Sequence, residues 1–271
     1  DFGNWFGNNN STIGWHYWLP FRYLERHPEV VVKSVRATLN EEKTVFTASP
    51  PVRRFNWASA VNTLTSGCSP MPFRDTTFGA DGENVMFICE PANNLVHREL
   101  LSYEGASITS KRHPGDVESE FIASEDNWFR PSMARTGPDG ALYLVDFYNQ
   151  IAAHNDTRGT PHGARNAATR PDRDHHFTRL YRIQHKQAQP LPPFTLSPKD
   201  PSQLVAMLDH PNGWVRTTAN RLLSEGAGNV EIPALEAKAA NGATAYGRME
   251  ALWVLHNLNA LKPGLIAAAA Q

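Results

Sequence analysis

The sequence predicts part of a β-propeller of the six-bladed type, followed by an all-α array of HEAT-like repeats. Two observations lead there: a strand–turn–strand unit that recurs, and helical apolar spacing beyond residue 200. The unit is clearest at residues 128–149, WFRPSMARTGPDGALYLVDFYN. Pro138-Asp139-Gly140 is its turn, because proline presets φ and glycine accepts a positive φ without a Cβ clash. The run Ala141 to Val145 is short, apolar and partly β-branched, which is the pattern of a buried strand. It exits on Asp146, Tyr148 and Asn149. Residues 78–98, FGADGENVMFICEPANNLVHR, repeat the plan: Ala-Asp-Gly for the turn, Val-Met-Phe-Ile for the strand, Glu90 where Asp146 stands and Asn93 where Asn149 stands. Residues 3–16 form a weaker third copy, in which aligning Phe6 with Phe87 sets His16 under His97. Repeats of this length, each a strand pair with a polar exit, suggest propeller blades.

Taken in order, residues 1–186 supply the propeller part, 187–200 a linker and 201–271 the helices. Residues 15–35 are rich in aromatics and arginine. Such a cluster either stacks on a planar ligand or forms a packed layer in which arginine covers a ring. Residues 28–66 read as loop and strand, broken at Pro50-Pro51. Residues 99–127 read as a polar connection with one strand candidate at 120–124. The stretch 150–178 is too polar and too broken by glycine and proline to form an element, and a loop of that length is usually functional or a cover. Its Asp172, Asp174, His175 and His176 have a spacing that fits no recognised metal-ligand set. Residues 178–184 read as a closing strand with alternating faces. The linker QAQPLPPFTLSPKD is proline-rich. Helical patterns follow at 202–209, 212–224, 232–240 and 245–258. Their apolar stripes, Trp214, Val215, Ala219, Leu222 and Leu223 on one and Met249, Leu252, Trp253 and Leu255 on another, predict that both tryptophans are buried where helical hairpins stack. The chain opens inside a strand pattern and stops in a run of alanines, which predicts a piece of a longer propeller and a longer array.

Composition narrows the function. At 41% hydrophobic and 20% charged residues the chain is of the globular class, and a formal net charge of −1 argues against a general nucleic-acid surface. No apolar run approaches the roughly 20 residues that span a bilayer. The two cysteines, Cys68 and Cys89, lie outside any Cys-x-x-Cys-His phrase, so this chain attaches no c-type haem. They either pair across neighbouring strands or stay as buried thiols.

The strand exits are the candidate site. Asp146 and Asn149, like Glu90 and Asn93, either cap turns or line one ring at the end of the blades. Two carboxylates on one ring repel unless a cation compensates, and Arg130 or a bound calcium would serve.

The phrases FICEPANNLVHREL, DNWFRPSMARTGPDGALYLVDFYN and TRLYRI, followed by HPNGWVR helices, resemble the membrane-bound dehydrogenase-like family of planctomycetes and verrucomicrobia. Its members join a sorbosone- or glucose-dehydrogenase-like propeller to HEAT repeats and often to a haem domain. The resemblance implies export to the periplasm or beyond the cell. It also implies pyrroloquinoline quinone as cofactor, oxidation of a sugar or alcohol, and a cytochrome domain or partner as electron acceptor. In such enzymes hydride passes from the substrate C–H to the quinone while a histidine takes the hydroxyl proton. His16 and His97 are the candidates for that base. Phe129-Arg130-Pro131 stands where the quinone enzymes carry an Arg-Asn-Pro-like phrase, without the Asn, which makes Arg130 the leading cofactor contact, with Glu90, Asn93, Asp146 and Asn149 around it. The alternative is a non-catalytic module that binds carbohydrate or protein, since one fold hosts both kinds of function.

Overall fold

A computed structural model describes residues 3–48, 62–79, 82–149, 152, 176–189 and 191–269. Its β part begins with a short meander of β1 (Trp5–Gly7), β2 (Trp15–Tyr17) and β3 (Arg36–Thr38), with the single-turn helix α1 (Phe21–Leu24) between the second and third strands. The middle sheet runs β4 (Cys68–Pro72), β5 (Val85–Glu90), β6 (Leu95–Glu104), β7 (Ser107–Arg112), with β8 (Ile122–Ala123) also on β6. The third sheet is β9 (Pro131–Thr136), β10 (Leu142–Asp146) and β11 (Arg179–Ile183), with β10 in the centre. All pairings are antiparallel.

β5 explains how the sheets sit. All six of its residues are buried, so it reads as a continuous apolar run with no polar alternation. Val85, Phe87 and Cys89 pack with Phe73, Phe129, Leu142 and Leu144 toward the third sheet. Met86 and Ile88 face the other way, among Ile13, Leu39, Leu95, Leu101 and Ile108. β5, at the heart of the middle sheet, is therefore covered on both faces.

The expected propeller is not what forms. Among the described residues the three sheets have three, five and three strands, and none closes into a barrel or a propeller. The recurring turn signal specifies antiparallel pairing between neighbouring strands, but closure needs contacts between distant sheets that no local pattern encodes. The local part of the signal is realised in the β9–β10 hairpin. Gly140 has φ +75° and its N–H donates to Gly137 O at 3.2 Å, while Gly137 N–H donates to Ala141 O at 2.8 Å. A Cβ on Gly140 would also lie 2.5 Å from Thr77 Cγ2, so the turn tip needs glycine for packing as well as for φ.

The helices are α2 (Pro201–Met207), α3 (Gly213–Ser224), α4 (Ile232–Asn241), α5 (Ala245–Asn257) and α6 (Pro263–Ala269). They share one core that includes Leu204, Leu208, Ala219, Leu223, Leu235, Ala251, Val254 and Leu255. The predicted burial of Trp214 and Trp253 is wrong: they are 41% and 48% exposed. In α5 the buried face carries Gly247, Ala251, Val254 and Leu255, so small residues let the helices approach and the bulky ring is turned outward. Truncating Trp253 will therefore change stability far less than a core truncation.

Asn212 joins the two parts. Its Oδ1 caps α3 by accepting from Val215 N–H at 3.0 Å. Its Nδ2 donates to Asp75 Oδ2 at 2.7 Å and to Gly137 O at 2.8 Å, and next to it Gly213 N–H donates to Arg74 O at 2.7 Å. Asn212 and Asp75 are both buried. Asn212→Ala should cost about 2–3 kcal/mol, the sum of a lost cap and a buried carboxylate short of a donor. A second, separate step in the urea transition would show that the helices have come loose from the sheets.

Candidate functional site at the strand exits

Asp146 ends β10, and both of its oxygens are occupied. Oδ1 accepts from Arg130 N–H at 2.7 Å and Tyr148 N–H at 2.8 Å, and Oδ2 accepts from Arg179 Nε at 2.7 Å. Tyr148 follows with φ +44°, and Arg179 lies 3.7 Å from the centre of its ring. The Arg130 guanidinium spans two exits, donating Nε to Asn149 O at 2.9 Å and Nη1 to Pro91 O at 2.7 Å. Asn94, with φ +60°, ties the same two segments together by donating Nδ2 to Phe129 O at 2.7 Å and Asn127 O at 3.2 Å.

Glu90 ends β5 inside a cage of donors. Its Oε1 accepts from Thr65 N–H and Ser66 N–H, both at 3.1 Å, and from Asn93 Nδ2 at 2.8 Å. The Ser66 hydroxyl and Ala92 N–H reach Oε2. Burial pushes the Glu90 carboxyl above its usual range, and these donors pull it part of the way back. Asn93 also donates to Thr63 O at 3.0 Å. The structure thus brings Arg130, Asp146 and Asn149 into one cluster and links it to the end of β5 through Pro91, while Glu90 and Asn93 hold each other and residues 63–66.

The two histidines lie elsewhere. His16, on β2, is buried with Nε2 3.0 Å from Asn4 Oδ1, and burial lowers its pKa. His97, on β6, sits between two carboxylates, with Nδ1 2.8 Å from Glu120 Oε2 and Nε2 2.7 Å from Glu99 Oε1. Burial opposes its charge, but the hydrogen bonds and charges of Glu120 and Glu99 outweigh it and raise the pKa. A ring that donates from both nitrogens has no lone pair with which to take a substrate proton. Glu99 further accepts from Asn40 Nδ2 at 3.1 Å and Ser110 Oγ at 2.6 Å, and Glu120 accepts from Arg112 Nη1 at 3.1 Å and Phe46 N–H at 2.9 Å.

These residues do not fit the two groups expected of them. Calcium needs six to eight free oxygen ligands, whereas Glu90 and Asp146 are filled by N–H and O–H donors. Among the described residues no three His, Cys, Asp or Glu are grouped to hold a metal. A planar quinone needs an open face, but Glu90, Asn93, Arg130, Asp146 and Asn149 are all buried, and Arg130 donates to the main-chain carbonyls of Asn149 and Pro91. Cys68 and Cys89 are directly opposed across β4 and β5 as free thiols, and burial pushes Cys68 up to about 11, with Glu90 adding to the effect. The Asp172, Asp174 and His175 candidates and the Pro50-Pro51 break lie outside the described residues.

Sequence reasoning missed Glu99, Arg112, Glu120 and Asn94. One signal was readable: His97 and Glu99 are two apart on a strand, which puts them on one face. It also left open whether the arginine–aromatic cluster is a packed layer. In the structure Trp18, Phe21 and Tyr23 are exposed. Arg22, Tyr23 and Arg26 form one wall of a cleft of about 710 Å³ whose other wall is α5 and α6, including Leu252, Trp253 and His256.

Comparison with known proteins gives one match. Residues 1–187 fit a family model described as a domain of unknown function, DUF7133. No curated protein and no solved structure matches the chain. The matched span covers more than half of the sequence, and the chain belongs to the DUF7133 family.

Proposed function

We propose that this chain is a non-catalytic binding module, and that its strand-exit residues hold sheets together instead of holding a quinone. One observation carries the reading: the candidate site residues His16, Glu90, His97, Arg130 and Asp146 are buried and already engaged by neighbours within the chain. Catalysis needs such groups aimed at a reacting atom. The arrangement supports a structural role, with Arg130 fastening the exit of β10 to that of β5. Exposed aromatics and unburied arginines, the usual material of recognition surfaces, are found instead around the α1–α5 cleft.

The test adds pyrroloquinoline quinone and calcium to the purified chain, follows tryptophan fluorescence, and assays dye reduction with sugars and alcohols. No saturable quinone binding and no turnover are expected. Arg130→Ala should lower stability by about 2 kcal/mol, since two main-chain carbonyls lose a charged donor. Stoichiometric quinone binding that Arg130→Ala abolishes without loss of folding would overturn the proposal.

A further inference from the structure

We infer that the groove between α1 and the α5–α6 face binds an extended acidic peptide segment of a partner protein, anchored by an apolar side chain against Trp253. The inference rests on reading the chain as a binding module and names what it binds.

The first cleft has a floor of Met249, Leu252, Leu261 and Ile266, an apolar surface that adapts to side chains of different shape. Its rim carries Arg22, Arg26 and His256 and no Asp or Glu. Among the described residues neither arginine is paired with a carboxylate: Arg22 donates to the Tyr23 hydroxyl at 3.3 Å, and both stack over the Tyr23 ring. The nearby Glu29 is 3.3 Å from His27. The guanidinium donors that remain are suited to carboxylates.

A second depression of about 350 Å³ adjoins the first and shares Met249 and Trp253 with it. It continues onto α3, where its polar groups are already matched: Glu250 accepts from Asn220 at 2.6 Å, and Arg221 pairs with Glu225 at 2.8 Å. Trp253 therefore stands between two consecutive pockets, and its ring is held edge-on to His256 at 5.7 Å. Two pockets that meet at shared residues suit an extended chain better than a compact ligand, and a half-exposed tryptophan between them is the usual form of an interface anchor. The two long stretches of this chain outside the described residues do not supply the occupant by charge. Residues 49–61 carry Arg53 and Arg54 and no acid, and residues 153–175 carry more arginines than acids.

The experiment selects binders to the intact chain from a random peptide library displayed on phage, then measures synthetic copies of the enriched peptides by fluorescence anisotropy. The expected consensus places Asp or Glu beside a large apolar residue. Affinity should fall about tenfold or more in Arg22→Glu/Arg26→Glu and in Trp253→Ala, and should weaken with added salt. Both variants should melt like the parent, because the altered side chains are exposed. A basic or uncharged consensus, no enrichment, or equal affinity for parent and variants overturns the inference. Quinone-dependent dye reduction by a chain that still binds these peptides would refute the module reading and leave the groove standing.

Discussion

Replacing Glu120 by alanine should cost the fold about 3–5 kcal/mol, because it leaves buried cations without their partner. Glu120 is bonded to His97 and Arg112, and His97 to Glu99, so when His97 is protonated two carboxylates are balanced by an imidazolium and a guanidinium. Arg112 also donates to Ser119 O at 3.0 Å and to Thr44 O, and thereby holds the loop before the middle sheet. Urea denaturation of the variant measures the loss. If Glu120→Ala does not fold, Glu120→Gln keeps the shape and removes only the charge. The same group predicts a pH dependence. His97 has its pKa raised above the ordinary 6.5. Its contribution is therefore complete below pH 6.5 and is lost as pH rises through the folded-state value. Stability should fall over that window on the alkaline side, and Glu120→Gln should flatten the fall. A profile that is the same in parent and variant would show that His97 is not charged in the folded chain.

Phe87→Ala should have an effect of similar size, about 3–5 kcal/mol, through the cavity it opens. Phe87 is fully buried in the middle of β5. Its ring meets Phe73 edge-on at 5.9 Å, Phe78 at 6.1 Å and Phe121 at 4.7 Å, and its backbone pairs with Met71 and Arg98. Four phenylalanines with crossed planes cannot close over a missing one without leaving their staggered side-chain conformations. A loss below about 1 kcal/mol in the urea midpoint would mean that the cluster repacks freely.

What the sequence revealed follows the range of the forces involved. The β9–β10 hairpin was readable because Pro138, Asp139 and Gly140 act within four residues. The closing strand β11 was readable from the alternation of its faces, which the structure repeats. The β6–β7 hairpin has the pattern of a polar connection, because Ser107, Thr109 and Lys111 face water and only Ile108 is buried on that strand. The register of α5 departs from its apolar pattern because Trp253 weighs heavily in any hydrophobic pattern, while the residues on its buried face include Gly247 and Ala251. How the sheets are arranged was not readable, since it depends on contacts such as those of Phe129 with β5 that hairpin signals do not specify. The candidate residues at the strand exits were found by type and spacing. Spacing could not say that their valences would be filled from within the chain.

The burial of β5 on both sides has a consequence for how this family can vary. Phe87 and Ile88 are adjacent in sequence, yet they belong to separate packing problems, because each points into a different cluster. Substitutions on opposite sides of the strand share no packing partner and should combine additively, while those on one side should couple. The strand acts as a partition, and relatives can rebuild the interior on one side of it while the residues on the other stay as they are.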